Sequence, residues 1–117
     1  MTVAAILGIV AAGQNLVILG GREGIDLSVG SLISLGAVLA GNMMDGQNSG
    51  ILPAVLVAGG IPFLIGLING IGLTFVRIPP LVMTIGMTAV IQGGLVVYSQ
   101  GAPSGGAGPF VVPFLKI

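Results

Sequence analysis

Four long stretches of this chain, residues 2–21, 27–44, 51–76 and 80–98, carry no charged side chain. An α-helix rises 1.5 Å per residue, so about 20 apolar residues cross a hydrocarbon layer roughly 30 Å thick. Each stretch is of that order. The apolar runs are continuous rather than alternating, which argues for helices and against the strands of a membrane barrel. The 117 residues include three basic and three acidic side chains, 5% charged in all. Soluble domains carry about 25%, and six charges cannot clothe a water-soluble globule of this size. Disorder is excluded by the same arithmetic, because it requires low hydrophobicity and high charge. Nucleic-acid binding is excluded because there is no basic footprint. With no Cys and no His, disulfides, thiol chemistry, zinc sites and His-based acid–base catalysis drop out together. The expectation is an all-α, polytopic protein of about four membrane helices, dissolved in a lipid bilayer.

Breakers separate the runs. The first lacks a basic residue before it and is followed by further apolar runs, so it reads as a membrane helix and not a signal peptide. It stops at Gly20-Gly21-Arg22-Glu23-Gly24. The second, 27–44, follows Asp26 and ends in the polar turn Asp45-Gly46-Gln47-Asn48-Ser49-Gly50. The third, 51–76, has Pro53 at a first-turn position. Gly59, Gly60 and Pro62 inside it predict a kink or a broken helix. Arg77 closes it, and Ile78-Pro79-Pro80 forces an extended corner. The fourth, 80–98, leads into a Gly- and Pro-rich loop over 99–109 and the start of a further element over 110–117. Arg22 and Arg77 lie two spans apart and so on one face, assigned to the cytoplasm by the excess of basic residues there. The Asp45 turn, the Gly-rich loop and the N-terminus then lie outside. Lys116 would also fall outside, against the rule.

A polar side chain within a span faces a neighbouring helix or a water-filled path. Asp26, in Gly24-Ile25-Asp26-Leu27-Ser28-Val29-Gly30-Ser31, can be a helix cap, a break in the helix facing a solute path, or a partner of Arg22. Ser28 shares the break. Asn69 can bond a neighbouring helix or line a pore, and Gly66 and Gly70 around it allow close helix approach. Thr84, Thr88 and Gln92 are four apart and share one helix face. They can bond back to their own helix carbonyls or form a polar stripe along a path. Gln14 and Asn15 carry the same ambiguity, and the five Met residues read as packing filler. No phosphate-binding Gly-x-x-x-x-Gly-Lys-Ser/Thr is present, and the carboxylates form no catalytic pair. No catalytic residue, metal site or cofactor is expected.

The segment Gly24 to Ser31 resembles the signature of permease subunits of ribose/xylose-type ABC importers. So do Gly66-Leu67-Ile68-Asn69-Gly70 and Arg77-Ile78-Pro79-Pro80-Leu81-Val82-Met83-Thr84-Ile85-Gly86, in the same order and spacing. The resemblance covers most of residues 14–100. It implies a multi-pass subunit of a bacterial inner-membrane importer for a monosaccharide or similar small solute. It also implies three protein partners: a second permease subunit, a cytoplasmic ABC ATPase that supplies the energy, and a periplasmic or extracellular solute-binding protein. Asp26, Ser28, Asn69, Thr84, Thr88 and Gln92 become candidates for the pathway. Gly24, Gly30, Gly66, Gly70, Arg77, Pro79 and Pro80 become motif and structural positions. Permeases of this kind are longer, so the expectation is the front part of a permease domain, without the segment that couples to the ATPase. Two readings from other classes compete: a small Gly-rich membrane protein that self-associates, and a small channel.

Overall fold

The computed structural model describes residues 2–20, 24–102 and 104–115. Arg22 and Lys116, on which part of the orientation reading rests, lie outside the described residues, as does any Arg22–Asp26 pair. The described residues are helical, with no strands. The elements are α1 (Thr2–Leu19), α2 (Val29–Met44), α3 (Ile51–Ile71), α4 (Pro80–Tyr98) and the single turn α5 (Val112–Leu115). A short 3₁₀ turn, Asn48–Gly50, leads into α3, and a π-turn, Gly72–Val76, follows it. Two stretches, Asn48–Val76 and Pro80–Tyr98, are long and apolar enough to cross a membrane.

Burial runs opposite to that of a soluble domain. The buried apolar residues are Leu39, Ala54 and Ile91, while Ser28, Ser31, Asn69 and Thr84 are buried polar ones. Large apolar side chains are exposed from Val3 to Phe114, with Phe75 79% and Val97 80% exposed. Leaving one such side chain in water forgoes ~1.5–3 kcal/mol. Ten of them would outweigh the 5–15 kcal/mol that holds a typical domain together. Lipid removes that cost, and it makes unpaired polar groups expensive instead. Ser28, Ser31, Asn69 and Thr84 are accordingly turned inward.

α2 is the central element, packed along α3 and, less extensively, against α4. Pro62 lies at the α2–α3 contact. Pro62 has no N–H, so the carbonyl of Ala58 one turn earlier loses its usual donor. That carbonyl faces Gly36 of α2, where an added Cβ would stand 3.2 Å from the oxygen and 4.0 Å from the Pro62 ring. Glycine lets the α2 backbone close over the freed carbonyl. Of the kink or break expected at Gly59-Gly60-Pro62, the break does not occur: α3 runs unbroken from Ile51 to Ile71 with Pro62 inside. The close approach that Gly66 and Gly70 allow is not used by any of the described residues. Both are exposed with open space where a Cβ would stand, and Gly36 makes the close contact instead.

The irregular backbone follows α3. The π-turn ends at Arg77, which is left-handed at φ 60°, and the Arg77 N–H returns to the Gly72 carbonyl. Ile78 N–H donates to the same carbonyl at 3.3 Å. Pro79 then takes the extended conformation, and Pro80 opens α4 at a position that needs no N–H donor. At the opposite end the loop after α4 closes over the α2–α3 turn. Gly46 N–H donates to the Gly106 carbonyl at 2.9 Å, and Gly106 N–H to the Gly41 carbonyl at 3.2 Å. The Asn48 side chain accepts from Phe110 N–H at 2.9 Å. Gly105 sits at φ 106°, and a Cβ there would fall 2.6 Å from Asn42 N.

Candidate functional site

The chain leaves α1 at Leu19 and does not resume helix until Val29. Gly24 to Asp26 have no regular structure, and Leu27 and Ser28 form a turn. This break is held by three helices. Asn69 of α3 donates its Nδ2 to Ser28 Oγ at 3.2 Å. Thr88 of α4 places its Oγ1 3.2 Å from the Leu27 carbonyl and 2.8 Å from the Thr84 carbonyl. Gln14 of α1 donates its Nε2 to the Asp26 carbonyl at 3.2 Å. Asn69 is eight residues before the Arg77 corner and Thr88 eight after Pro80. At 1.5 Å per residue both stand about 12 Å from that end. With 16 residues, α2 is about 24 Å long and covers only the remaining depth. Backbone without regular structure is tolerated there because neighbouring helices satisfy its polar groups.

Asp26 organises the break locally. One carboxylate oxygen accepts from Ser28 N–H at 2.8 Å and from Ser28 Oγ at 2.6 Å. These are short, charge-assisted bonds. The cap expected of Asp26 takes a different form, since the residue preceding α2 is Ser28, whose side chain makes no capping bond. Asp26 instead closes a two-residue turn ahead of the helix. Ser28 is fully buried, and its hydroxyl is a relay, donating to Asp26 and accepting from Asn69. Ser31 secures the first turn by donating to the Ser28 carbonyl at 2.7 Å.

Of the sequence candidates, Asp26, Ser28, Asn69 and Thr88 meet at this junction. Thr84 is buried, but its hydroxyl bonds back to the Pro80 carbonyl at 2.9 Å, so it serves its own helix. Gln92 is exposed, and of the two readings for this face, bonding back to the helix's own carbonyls holds for both Thr84 and Thr88. Gly24 is buried and Gly30 exposed. Gly24, Arg77, Pro79 and Pro80 line a cavity of about 640 Å³ with Leu16, Val17 and Leu73, at the end of the bundle where α1 and the corner meet. Gln14, whose amide the sequence left open between a helix contact and a path, joins the junction, and so does Ser31, which was not among the candidates. For Gln14 the available signal was an amide within an otherwise apolar run.

Two amide oxygens at the junction, Gln14 Oε1 and Asn69 Oδ1, are buried without a hydrogen-bond partner among the described residues. Asn69 is 3% exposed. Among those residues no group of His, Cys, Asp or Glu could hold a metal ion. The site is thus a neutral-to-acidic, acceptor-rich cluster. It can accept hydrogen bonds.

Comparison with known proteins bears on what this junction belongs to. Residues 1–114 match the family model described as the branched-chain amino acid transport system / permease component. The chain is 37% identical over 95 residues to the fructose import permease protein of Rhizobium meliloti, covering 81% of this chain and 26% of that protein. It is 37% identical over 106 residues to the ribose import permease protein of Bacillus subtilis, covering 89% and 31%. It is 35% identical over 98 residues to an autoinducer 2 import system permease protein of Yersinia pseudotuberculosis, covering 84% and 27%. The chain therefore spans about a quarter to a third of the length of the curated relatives it matches. No solved structure matches it. The match along nearly the whole chain, together with lipid-exposed apolar helices around a buried polar break, identifies the chain as a membrane protein of the branched-chain amino acid transport system permease-component family, which is a family of transport permeases and not of enzymes.

Proposed function

We propose that this chain forms part of the translocation pathway of a bacterial inner-membrane ABC importer, and that the pathway passes the break at Asp26 and Ser28. The observation that carries the reading is the convergence of α1, α3 and α4 polar groups on an interrupted backbone inside an otherwise apolar bundle. Discontinuous helices of this kind line solute sites in transporters. The relatives are named for the import of fructose, ribose and autoinducer 2. By similarity the solute is a monosaccharide or a comparably small neutral molecule. A separate ABC ATPase supplies the energy, a second permease subunit completes the pathway and an external solute-binding protein delivers the solute. In this multi-pass orientation the Arg77 corner and its cavity face the cytoplasm, and the turn at Asp45 faces outward. Asp26, Ser28, Asn69 and Thr88 are the pathway residues, Thr84 steadies α4, and Gln92 lies on a face open to an adjoining subunit.

The test is reconstitution of the chain in liposomes with its ATPase, its binding protein and any further permease segment they require. The expected result is solute uptake that needs ATP and the binding protein. Solute leak without nucleotide would favour a channel and refute the importer reading. Self-association has one observation in its favour, the open α3 face at Gly66 and Gly70. A discrete homo-oligomer indifferent to the ATPase would support that second reading.

A further inference from the structure

We infer that Gln14 and Asn69 are solute-binding and specificity-determining residues, which take hydroxyl donors from a neutral polyol when the junction opens; this inference rests on the importer reading above. Each amide is half used. Gln14 spends its Nε2 on the Asp26 carbonyl and Asn69 spends its Nδ2 on Ser28 Oγ. In both cases the amide nitrogen pins the side chain to the break, and the amide oxygen is left buried without a donor among the described residues. A buried acceptor without a partner is costly, and more so where lipid excludes water. Two such oxygens, on helices whose amide nitrogens hold the same break, are two demands for donors.

The chemistry of the cluster narrows what can meet that demand. The backbone carbonyls of Asp26 and Leu27 already accept from Gln14 and Thr88, and one oxygen of Asp26 already accepts twice from Ser28. The orphan acceptors are neutral amides, two in number. A hard metal cation needs about six oxygen ligands, so two suit it poorly. An anionic or zwitterionic solute would bring a carboxylate toward Asp26. The basic residue available among those described, Arg77, is eight residues along from Asn69, about 12 Å. Hydroxyl groups of a neutral polyol meet the demand without adding charge. A site built to bond a solute hydroxyl rejects the analogue lacking it, because its own polar groups are then left unpaired.

The assay is uptake in proteoliposomes holding the complete importer, with D-ribose and each of its monodeoxy analogues as probes and D-fructose with its deoxy series as a second set. Wild-type uptake of the parent sugars tests the importer reading first, and its absence would count against that reading and against this inference together. Given uptake, loss of the hydroxyl that meets Asn69 is expected to raise KM about three- to tenfold, the range of one neutral hydrogen bond. In Asn69→Leu the parent sugar shows that same rise, and the matching deoxy sugar shows no further one. Gln14→Leu does the same for a different hydroxyl. A residue that only packs would raise KM for parent and deoxy sugars alike, and that absence of coupling in both variants would overturn the inference. So would an uptake requirement for sodium or another cation that disappears in Asn69→Leu. If Asn69→Leu fails to reach the membrane, the Gln14→Leu comparison decides alone.

Discussion

Removing the Ser28 hydroxyl should unfasten the helix break, and the size of the effect can be worked from its bonds. Ser28 is 0% exposed. Its Oγ donates to Asp26 at 2.6 Å and accepts from Asn69 at 3.2 Å. The first bond has a charged acceptor, a class that contributes ~1.5–3 kcal/mol. Asp26 keeps the Ser28 N–H, so the lower end applies. The second joins two helices in lipid, where such bonds average ~0.6 kcal/mol. Ser28→Ala therefore costs about 2 kcal/mol for these bonds. It also leaves the Asn69 amide with neither end paired, which adds ~1 kcal/mol or more. Equilibrium unfolding by SDS in bicelles measures the total, expected near 3 kcal/mol. The Ser28→Ala/Asn69→Leu double variant should recover part of the loss, because it removes the orphaned amide together with its former partner. Ser31→Ala, which gives up only a bond within one turn, is the control and should cost under about 1 kcal/mol. A Ser28→Ala cost no larger than that of Ser31→Ala, with strict additivity in the double variant, would refute the view that Ser28 relays Asp26 to α3.

Three other perturbations follow from the packing. Gly36→Ala would put a Cβ 3.2 Å from the Ala58 carbonyl and push α2 off α3. The same bicelle titration should register ~1–3 kcal/mol, and no loss would show that Gly36 does not shelter the carbonyl freed by Pro62. Gly105→Ala imposes φ 106° on an L side chain and sets its Cβ against Asn42 N. Loop 99–109 should then be cut by proteinase K at least several-fold faster than in wild type, whereas an unchanged cleavage rate would mean the loop is not held by this contact. Arg77→Glu removes a basic residue from the corner and should invert or scramble the orientation in part of the molecules. Single cysteines introduced at Asp45 and Thr74 into this cysteine-free chain, probed with an impermeant maleimide, report the outcome. An unaltered labelling pattern would show that Arg77 does not set topology.

The lipid solvent and the helices were legible from the residues because both depend on composition and local pattern. A run of about 20 apolar residues has few ways to satisfy its backbone in a bilayer other than as a helix. The Pro79-Pro80 corner and the first-turn Pro53 were equally plain, since proline restricts its own backbone and that of its neighbour. Partner-dependent features were not legible. Pro62 and its flanking glycines read as a kink or a break, yet α3 continues through them, with Gly36 of another helix facing the freed carbonyl. Gly66 and Gly70 matched a packing motif but meet nothing within the chain. In a chain with 22 glycines, spacing alone cannot say which of them touch another helix.

The polar residues divide along the same line. That Asp26, Ser28, Asn69 and Thr88 must face inward follows from each being polar in a lipid-soluble chain, a property every residue carries alone. That they meet at one point, that Gln14 joins them and that Gln92 does not, follows from how three helices cross. Asn69 and Ser28 are 41 positions apart, and Thr88 and Leu27 are 61 apart. Helical period relates residues three or four apart, so it carries no information about such pairs. Their convergence is a property of packing, and so is the burial that leaves two amide oxygens without donors.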